Sequence, residues 1–163
     1  MKNGKVGIVL AAHGDVPFDY IEENREFFEG VEEHMYHLSD IVKDIPRTKE
    51  TDPYKFEAED LIDIIKQKTG YQVVEAGYMN FCSPTIEDCI KRMIANGAKK
   101  IVVVPKFLDK NGHSLRDLPK IISKMKEEHH GVEIVYTTPE LDREIQEKVA
   151  ELIIKRLKNV IWK

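Results

Sequence analysis

Apolar residues recur along this chain with two periods, and the switches between them outline its elements. Residues 5–11, 72–78, 100–105 and 132–136 are short, β-branched, nearly continuous apolar runs, which predicts buried parallel strands. Elsewhere the apolar positions return every three or four residues: Ala58, Leu61, Ile62 and Ile65; Ile86, Cys89, Ile90 and Met93; Leu118, Ile121, Ile122 and Met125. A last set holds Leu141, Ile145, Val149, Leu152, Ile153 and Leu157. Each set lays one stripe along a helix and predicts that this face is packed. Asp52-Pro53, Ser83-Pro84 and Thr138-Pro139 pair a capping side chain with a proline and are expected to open helices. Gly70, Gly97 and Gly131 are expected to stop helices before the next strand. Strands alternating with helices through right-handed crossovers predict an α/β fold, a flavodoxin-like three-layer sandwich around a four-stranded parallel sheet.

One connection is too long for that scheme. Strand-to-helix loops usually take ~2–6 residues, yet about forty separate the first strand from Asp52-Pro53. Within them Phe28, Val31, Met35, Leu38, Val42 and Ile45 step by three and four up to Pro46, so an extra amphipathic helix is expected in an insertion at about 16–50. Phe18, Tyr20, Phe27 and Phe28 make its start aromatic, which suits packing on the sheet or covering a flat apolar ligand. Residues 1–163 are expected to form one domain, a length that suffices for a substantial core.

Charge narrows the partners. The 25 basic residues against 29 acidic ones give a net charge of −4, with no basic stripe, so nucleic acid is not an expected partner. No apolar stretch approaches the ~18 residues of a membrane span, and a cytoplasmic protein is expected. Cys82 and Cys89 lack a CxxC spacing and are expected to be free thiols.

The candidate chemistry lies just past two strand ends. His13 follows the first strand, and His113 lies in the loop after the third. Open α/β sheets bind ligands outside the carboxyl ends of their strands, and two imidazoles delivered there can converge on one metal ion or one labile proton. Gly14 lets the chain turn sharply after His13. Ser114 and Asp117 have capping-box spacing, expected to tie the His113 loop to a helix start. Other polar residues have simpler accounts. His34 and His37 could share a metal from one helix, although a solvated face explains them as well. His129-His130 suit a helix end, and Cys82 and Cys89 suit a core. Glu75, inside the second strand, must be paired or reach the cleft, which makes it a candidate partner for the site.

Three blocks carry a resemblance: the strand ending in His13-Gly14, residues 74–86, and residues 97–119 with Pro105-Lys106-Phe107-Leu108 and His113. In that order they resemble the class II chelatases of tetrapyrrole biosynthesis, especially the small sirohydrochlorin chelatases of the cobalamin and related pathways. The resemblance implies a lyase that inserts a divalent ion, Co²⁺, Ni²⁺ or Fe²⁺, into a tetrapyrrole such as sirohydrochlorin without ATP. It implies His13 and His113 as metal ligands and proton acceptors, with no cofactor beyond the metal substrate. Tyr78, Asn80, Lys110 and Arg116 are the residues expected to meet the ring. Lys106 and Lys120 also flank His113, on the side where the ring carboxylates are expected. Larger relatives enclose the macrocycle between two similar halves and this chain supplies one, so a homodimer is expected.

The chain departs from the pattern in two ways. Small chelatases tend to carry carboxylates where this chain has Asn80 and Ser83, and an amide cannot accept a pyrrole proton. The insertion looks more like the amino-terminal half of protoporphyrin ferrochelatases; residues 15–40 hold nine acids and one arginine, Arg25, a field that attracts cations and repels a polycarboxylate ring. Two alternatives stay open. A phosphocarrier similar to mannose-family sugar phosphotransferase components would phosphorylate His13 and not need His113, and a noncatalytic metal or tetrapyrrole carrier could use the same fold. A histidine phosphatase is disfavoured, since its motif wants arginine where Ala12 stands.

Overall fold

The structure is a computed structural model that describes residues 5–28, 35–108, 110–140 and 142–161. Four strands, β1 (Val6–Ala12), β2 (Val74–Tyr78), β3 (Lys100–Pro105) and β4 (Glu133–Tyr136), lie close to their predicted positions. All pair in parallel in the order β2-β1-β3-β4, with Leu10 opposite Ala76 and Val104 in the central registers. The flavodoxin-like expectation is met, and β1 and β3, which lead to the two histidines, are neighbours.

Helices cover both faces of the sheet. On one, Leu10, Ala12, Val74, Ala76 and Tyr78 pack against Ala58 and Ile62 of α4 (Pro53–Thr69). On the other, Val9, Ala11, Ile101, Val103 and Ile134 meet the buried stripes of α5 (Ile86–Ala95) and α6 (Leu118–Glu128). Gly77 permits close contact there: a β-carbon on it would lie 2.8 Å from the Ile86 Cα. Between β1 and α4 the chain forms α1 (Phe18–Glu23), α2 (Arg25–Phe28) and α3 (Met35–Val42). Leu38 and Val42 of α3 join Val16 and Phe81 in a third cluster, against which Tyr20 and Phe28 pack. Each large side chain buried in this way contributes about 1.5–3 kcal/mol. Part of the expected insertion stripe, Val31 included, and His34 fall outside the described residues, as do the side chains of Phe27 and His37.

Helix boundaries correct several expectations. Asp52 caps α4 as predicted: its Oδ1 accepts from the Lys55 amide at 3.0 Å, and Gly70 ends the helix at φ 76°. Ser83-Pro84 opens no helix: the chain bends there, and the Pro84 carbonyl accepts from the Tyr78 amide at 2.9 Å, which ties the segment to the end of β2. Thr85 caps α5 instead, in a reciprocal capping box with Asp88. Thr138-Pro139 fails likewise: the Thr137 amide donates to the Val103 carbonyl, and Asp142, whose Oδ1 accepts from the Ile145 amide, precedes the last helix, α7 (Arg143–Ile161). His129, not Gly131, is the residue that ends α6. The stripe of α7 is not packed as its periodicity predicts; Leu152, Ile153 and Leu157 are about half exposed.

Candidate active site at the carboxyl edge of the sheet

Parallel pairing brings the two histidines together. Beyond β1, the Met79 amide donates to the Ala12 carbonyl, the Asn80 amide to the His13 carbonyl, both at 2.9 Å, and the Lys106 amide to the Ala11 carbonyl at 2.7 Å. These bonds hold the loops after β1, β2 and β3 at one edge. Gly14, at φ 88°, lies so close to the Asn80 carbonyl that a β-carbon would sit 1.9 Å from its oxygen. The turn after His13 therefore requires glycine. His113 begins a π-helical turn, His113–Asp117, closed by the Leu118 amide donating to the His113 carbonyl.

The imidazole centroids of His13 and His113 lie 4.9 Å apart, with the rings tilted by 58°. Metal–imidazole bonds are about 2.0–2.1 Å long, so both rings are within reach of one ion. Their partners set the tautomers. His13 Nδ1 is 2.7 Å from the Gly14 carbonyl, which only accepts, and His113 Nδ1 is 2.8 Å from the Asp117 carboxylate. Both Nδ1 atoms therefore donate, leaving an Nε2 lone pair on each ring for a metal or a proton. A carboxylate behind a ligating imidazole fixes its orientation and raises its basicity. The Asp117 carboxyl is itself held below its usual range, first by its bond from Arg116 and then by that from His113.

Aromatic rings flank the pair. Phe81 lies 6.1 Å from His13 and Phe107 6.5 Å from His113, centroid to centroid. Phe81 has φ 58°, unusual for a bulky residue. Its amide donates to Ser39 Oγ at 2.9 Å and its carbonyl accepts from Arg47. The buried Arg47 also donates to the Asp52 carboxylate and to the carbonyls of Asp15 and Val42. One guanidinium thus clamps the His13 loop, the Phe81 loop, α3 and the start of α4. Tyr54 supports His13 from below, its hydroxyl accepting from the His13 amide at 3.2 Å, and burial pushes that phenol's pKa up.

The remaining predicted residues scatter. Asn80 is half-buried beside His13 and lines a cleft of about 320 Å³ with Lys43, Phe81, Lys91 and Lys124. Lys110 and Arg116 are exposed near His113, Arg116 donating to Asp117 at 2.8 Å. Lys106 turns inward: its ammonium sits 3.6 Å above the Tyr54 ring, and burial lowers its pKa. Tyr78 is corrected from a ring-facing residue to a core one, 1% exposed, its hydroxyl donating to the Lys55 carbonyl at 3.3 Å. Glu75 is paired with Arg92 and does not reach the histidines. Ser83 donates to Asp44 at 2.6 Å. Cys82 is buried, which pushes its thiol pKa up to about 11 and keeps it protonated. The Ser114–Asp117 capping box does not form, because Ser114 exchanges bonds with Asn111 and Asp117 turns to His113 and Arg116. Sequence reasoning missed Asp117 as a histidine partner, although its i+4 spacing from His113 was the available signal. Arg47 and Tyr54 carried no local signal. Among the described residues no cluster of three or more His, Cys, Asp or Glu side chains forms a metal cage, and none of the helices is long and apolar enough to cross a membrane.

Comparison with known proteins bears on the family and the fold. The CbiX family model matches residues 49–160, so His13 lies ahead of the matched region. The sirohydrochlorin cobaltochelatase of Methanococcus aeolicus is 36% identical over 118 residues, 58% of this chain and 80% of that protein. The crystal structure of the sirohydrochlorin chelatase SirB from Bacillus subtilis subspecies spizizenii in complex with cobalt aligns with a TM-score of 0.66 at 22% identity, over 96% of this chain and 51% of that one. This chain therefore spans about half the length of that structure. A cobalamin (vitamin B12) biosynthesis CbiX protein from Marinobacter aquaeolei VT8 aligns at 0.57 and 19% identity, over 94% and 98% of the two chains. At these identities the structural likeness establishes the fold.

Proposed function

Because the chain belongs to the CbiX family, we propose that it is a class II metal chelatase, a lyase that inserts Co²⁺, Ni²⁺ or Fe²⁺ into sirohydrochlorin or a close relative without ATP. The observation that carries this reading is the pair of imidazoles 4.9 Å apart at the sheet edge, each with its Nδ1 engaged. Neutral imidazole suits all three ions, and selectivity among them follows geometry and supply. His13 and His113 hold the incoming ion through Nε2, and as the ion passes to the macrocycle the same two lone pairs are freed to accept the two pyrrole protons that metalation releases. The Asn80 amide cannot take such a proton, and Asp117 stabilises the positive charge that develops on His113. Lys110 and Arg116 face the ring carboxylates, with Phe81 and Phe107 flanking the histidines. The chain works as a homodimer, and its unbridged thiols suit a reducing cytoplasm.

The test is an anaerobic absorbance assay of sirohydrochlorin with each ion, comparing the protein with His13→Ala and His113→Ala. Each substitution should slow insertion by about 10²-fold or more. Equal rates with and without protein would overturn catalysis and leave a carrier. Phosphorylation of His13 that survives His113→Ala would favour the phosphocarrier, a reading in which the His113–Asp117 pair has no role.

A further inference from the structure

Among the described residues, Phe81 is the one non-glycine residue with a left-handed backbone, at φ 58°. That conformation suits glycine and penalises a bulky side chain, and such outliers persist where their surroundings over-determine them. The surroundings here come from two directions. On one, the Asn80 amide donates to the His13 carbonyl at 2.9 Å, so the residue before Phe81 is anchored to His13 itself. On the other, the insertion grips the turn: Ser39 Oγ of α3 accepts from the Phe81 amide at 2.9 Å, Arg47 donates to the Phe81 carbonyl, and the Ser83 amide donates to the Lys43 carbonyl at 3.0 Å. Phe81 is 8% exposed and packed with Val16, Leu38 and Val42, so its ring is no platform for a ligand. What it meets at the site is the His13 imidazole, 6.1 Å away between centroids and tilted by 49°.

The hydrogen bonding of His13 explains why such a wall matters. Its Nδ1 bonds to the carbonyl of the next residue, Gly14, at 2.7 Å. That local bond fixes one ring nitrogen and leaves the imidazole able to swing about it, whereas a contact out of line with the bond sets where Nε2 points. We propose that Phe81 is a positioning residue for His13: the insertion, through Ser39 and Arg47, holds Phe81 left-handed so that its ring backs the imidazole and aims Nε2 at the ion shared with His113. The inference rests on the reading of His13 as a metal ligand, and it gives the insertion a task at the site, that of a brace on one ligand. Phe81 touches neither ion nor macrocycle, so its effect is on geometry alone. An imidazole free to swing loses that freedom when the ion arrives, which weakens binding; a braced one has lost it on folding.

Two substitutions in the full chain test this. Phe81→Gly removes the ring and relieves the backbone at once, and Phe81→Leu removes the flat ring while keeping the apolar cluster filled, so that one folded variant suffices. In protein that circular dichroism shows to be folded, Co²⁺ affinity should fall about 10-fold. The kcat of insertion should fall while KM for sirohydrochlorin stays unchanged, since only the approach of the reacting atoms is disturbed. Ser39→Ala should act in the same direction more weakly, and Ser39→Thr, which keeps the hydroxyl, should restore the wild-type values. Nitrogen NMR of the metal-free protein should show a fixed Nδ1–H tautomer for His13 in the wild type and averaged ring shifts in Phe81→Gly. Unchanged Co²⁺ affinity and unchanged ring shifts in the Phe81 variants would overturn the proposal, and equal losses in Ser39→Ala and Ser39→Thr would overturn the insertion's part in it. Co²⁺ binding that survives His13→Ala would instead remove the metal-ligand reading, and the ring shifts, which need no ion, would still decide whether Phe81 braces His13.

Discussion

Arg47→Ala removes the donor that ties the insertion to the site. The guanidinium and the Asp52 carboxylate are 3% and 1% exposed, so neither has water to fall back on. The substitution strips the donor from one buried carboxylate and from the carbonyls of Asp15, Val42 and Phe81. Breaking a buried pair from one side typically costs about 3–5 kcal/mol, chiefly through the uncompensated charge left behind. That is a roughly 10²–10⁴-fold change in the folded-to-unfolded ratio, and at ~2–4 °C per kcal/mol for a chain of this size it lowers Tm by roughly 6–20 °C. The Nε of Arg47 has no partner among the described residues, which places the expectation nearer the lower end. Urea unfolding followed by far-UV circular dichroism measures the loss. A companion variant, Arg47→Met with Asp52→Asn, isolates the cause: asparagine still caps α4 and no charge is stranded, so the double change should cost less than Arg47→Ala alone. A loss below about 1 kcal/mol for Arg47→Ala, or a double variant worse than the single one, would refute the clamp.

Other consequences are as direct. Asp117→Asn should weaken Co²⁺ binding about 10- to 100-fold without altering the far-UV spectrum, and an unchanged titration would show that His113 needs no carboxylate behind it. Gly14→Ala should destabilise the protein by roughly 2 kcal/mol or more and slow insertion, because a β-carbon at φ 88° meets the Asn80 carbonyl; a normal urea midpoint would contradict that contact. Burial raises the pKa of Cys82 to about 11 and of Cys89 to about 12, against 9.0 for a free thiol. The fold keeps these protons where the unfolded chain releases them, so this contribution is whole below pH 9 and is lost as pH rises through 11 to 12. Urea midpoints between pH 8 and 10.5 should fall less for Cys82→Ala or Cys89→Ala than for wild type, and parallel declines would contradict this.

Sequence reading went furthest where period and chain direction suffice. Short apolar runs identified all four strands, and parallel pairing then required that the loops after β1 and β3 leave the same edge, which is why His13 and His113 could be placed together beforehand. Asp52-Pro53 and Gly70 were legible because capping acts over a single turn. The Ser83-Pro84 and Thr138-Pro139 signals misled because strand-end hydrogen bonds, from the Tyr78 amide to the Pro84 carbonyl and from the Thr137 amide to the Val103 carbonyl, tie those segments to the sheet. Polar partners were the least legible. Asp117 could cap a helix or orient a histidine, Glu75 could face the cleft or meet Arg92, and Arg47 had no marked neighbour. Those choices turn on which donors and acceptors the packed layers bring within about 3 Å, often across tens of residues. Tyr78 was buried and α7 left bare for the same reason: spacing specifies which face of an element is apolar, whereas what lies opposite that face depends on how whole elements pack in three dimensions.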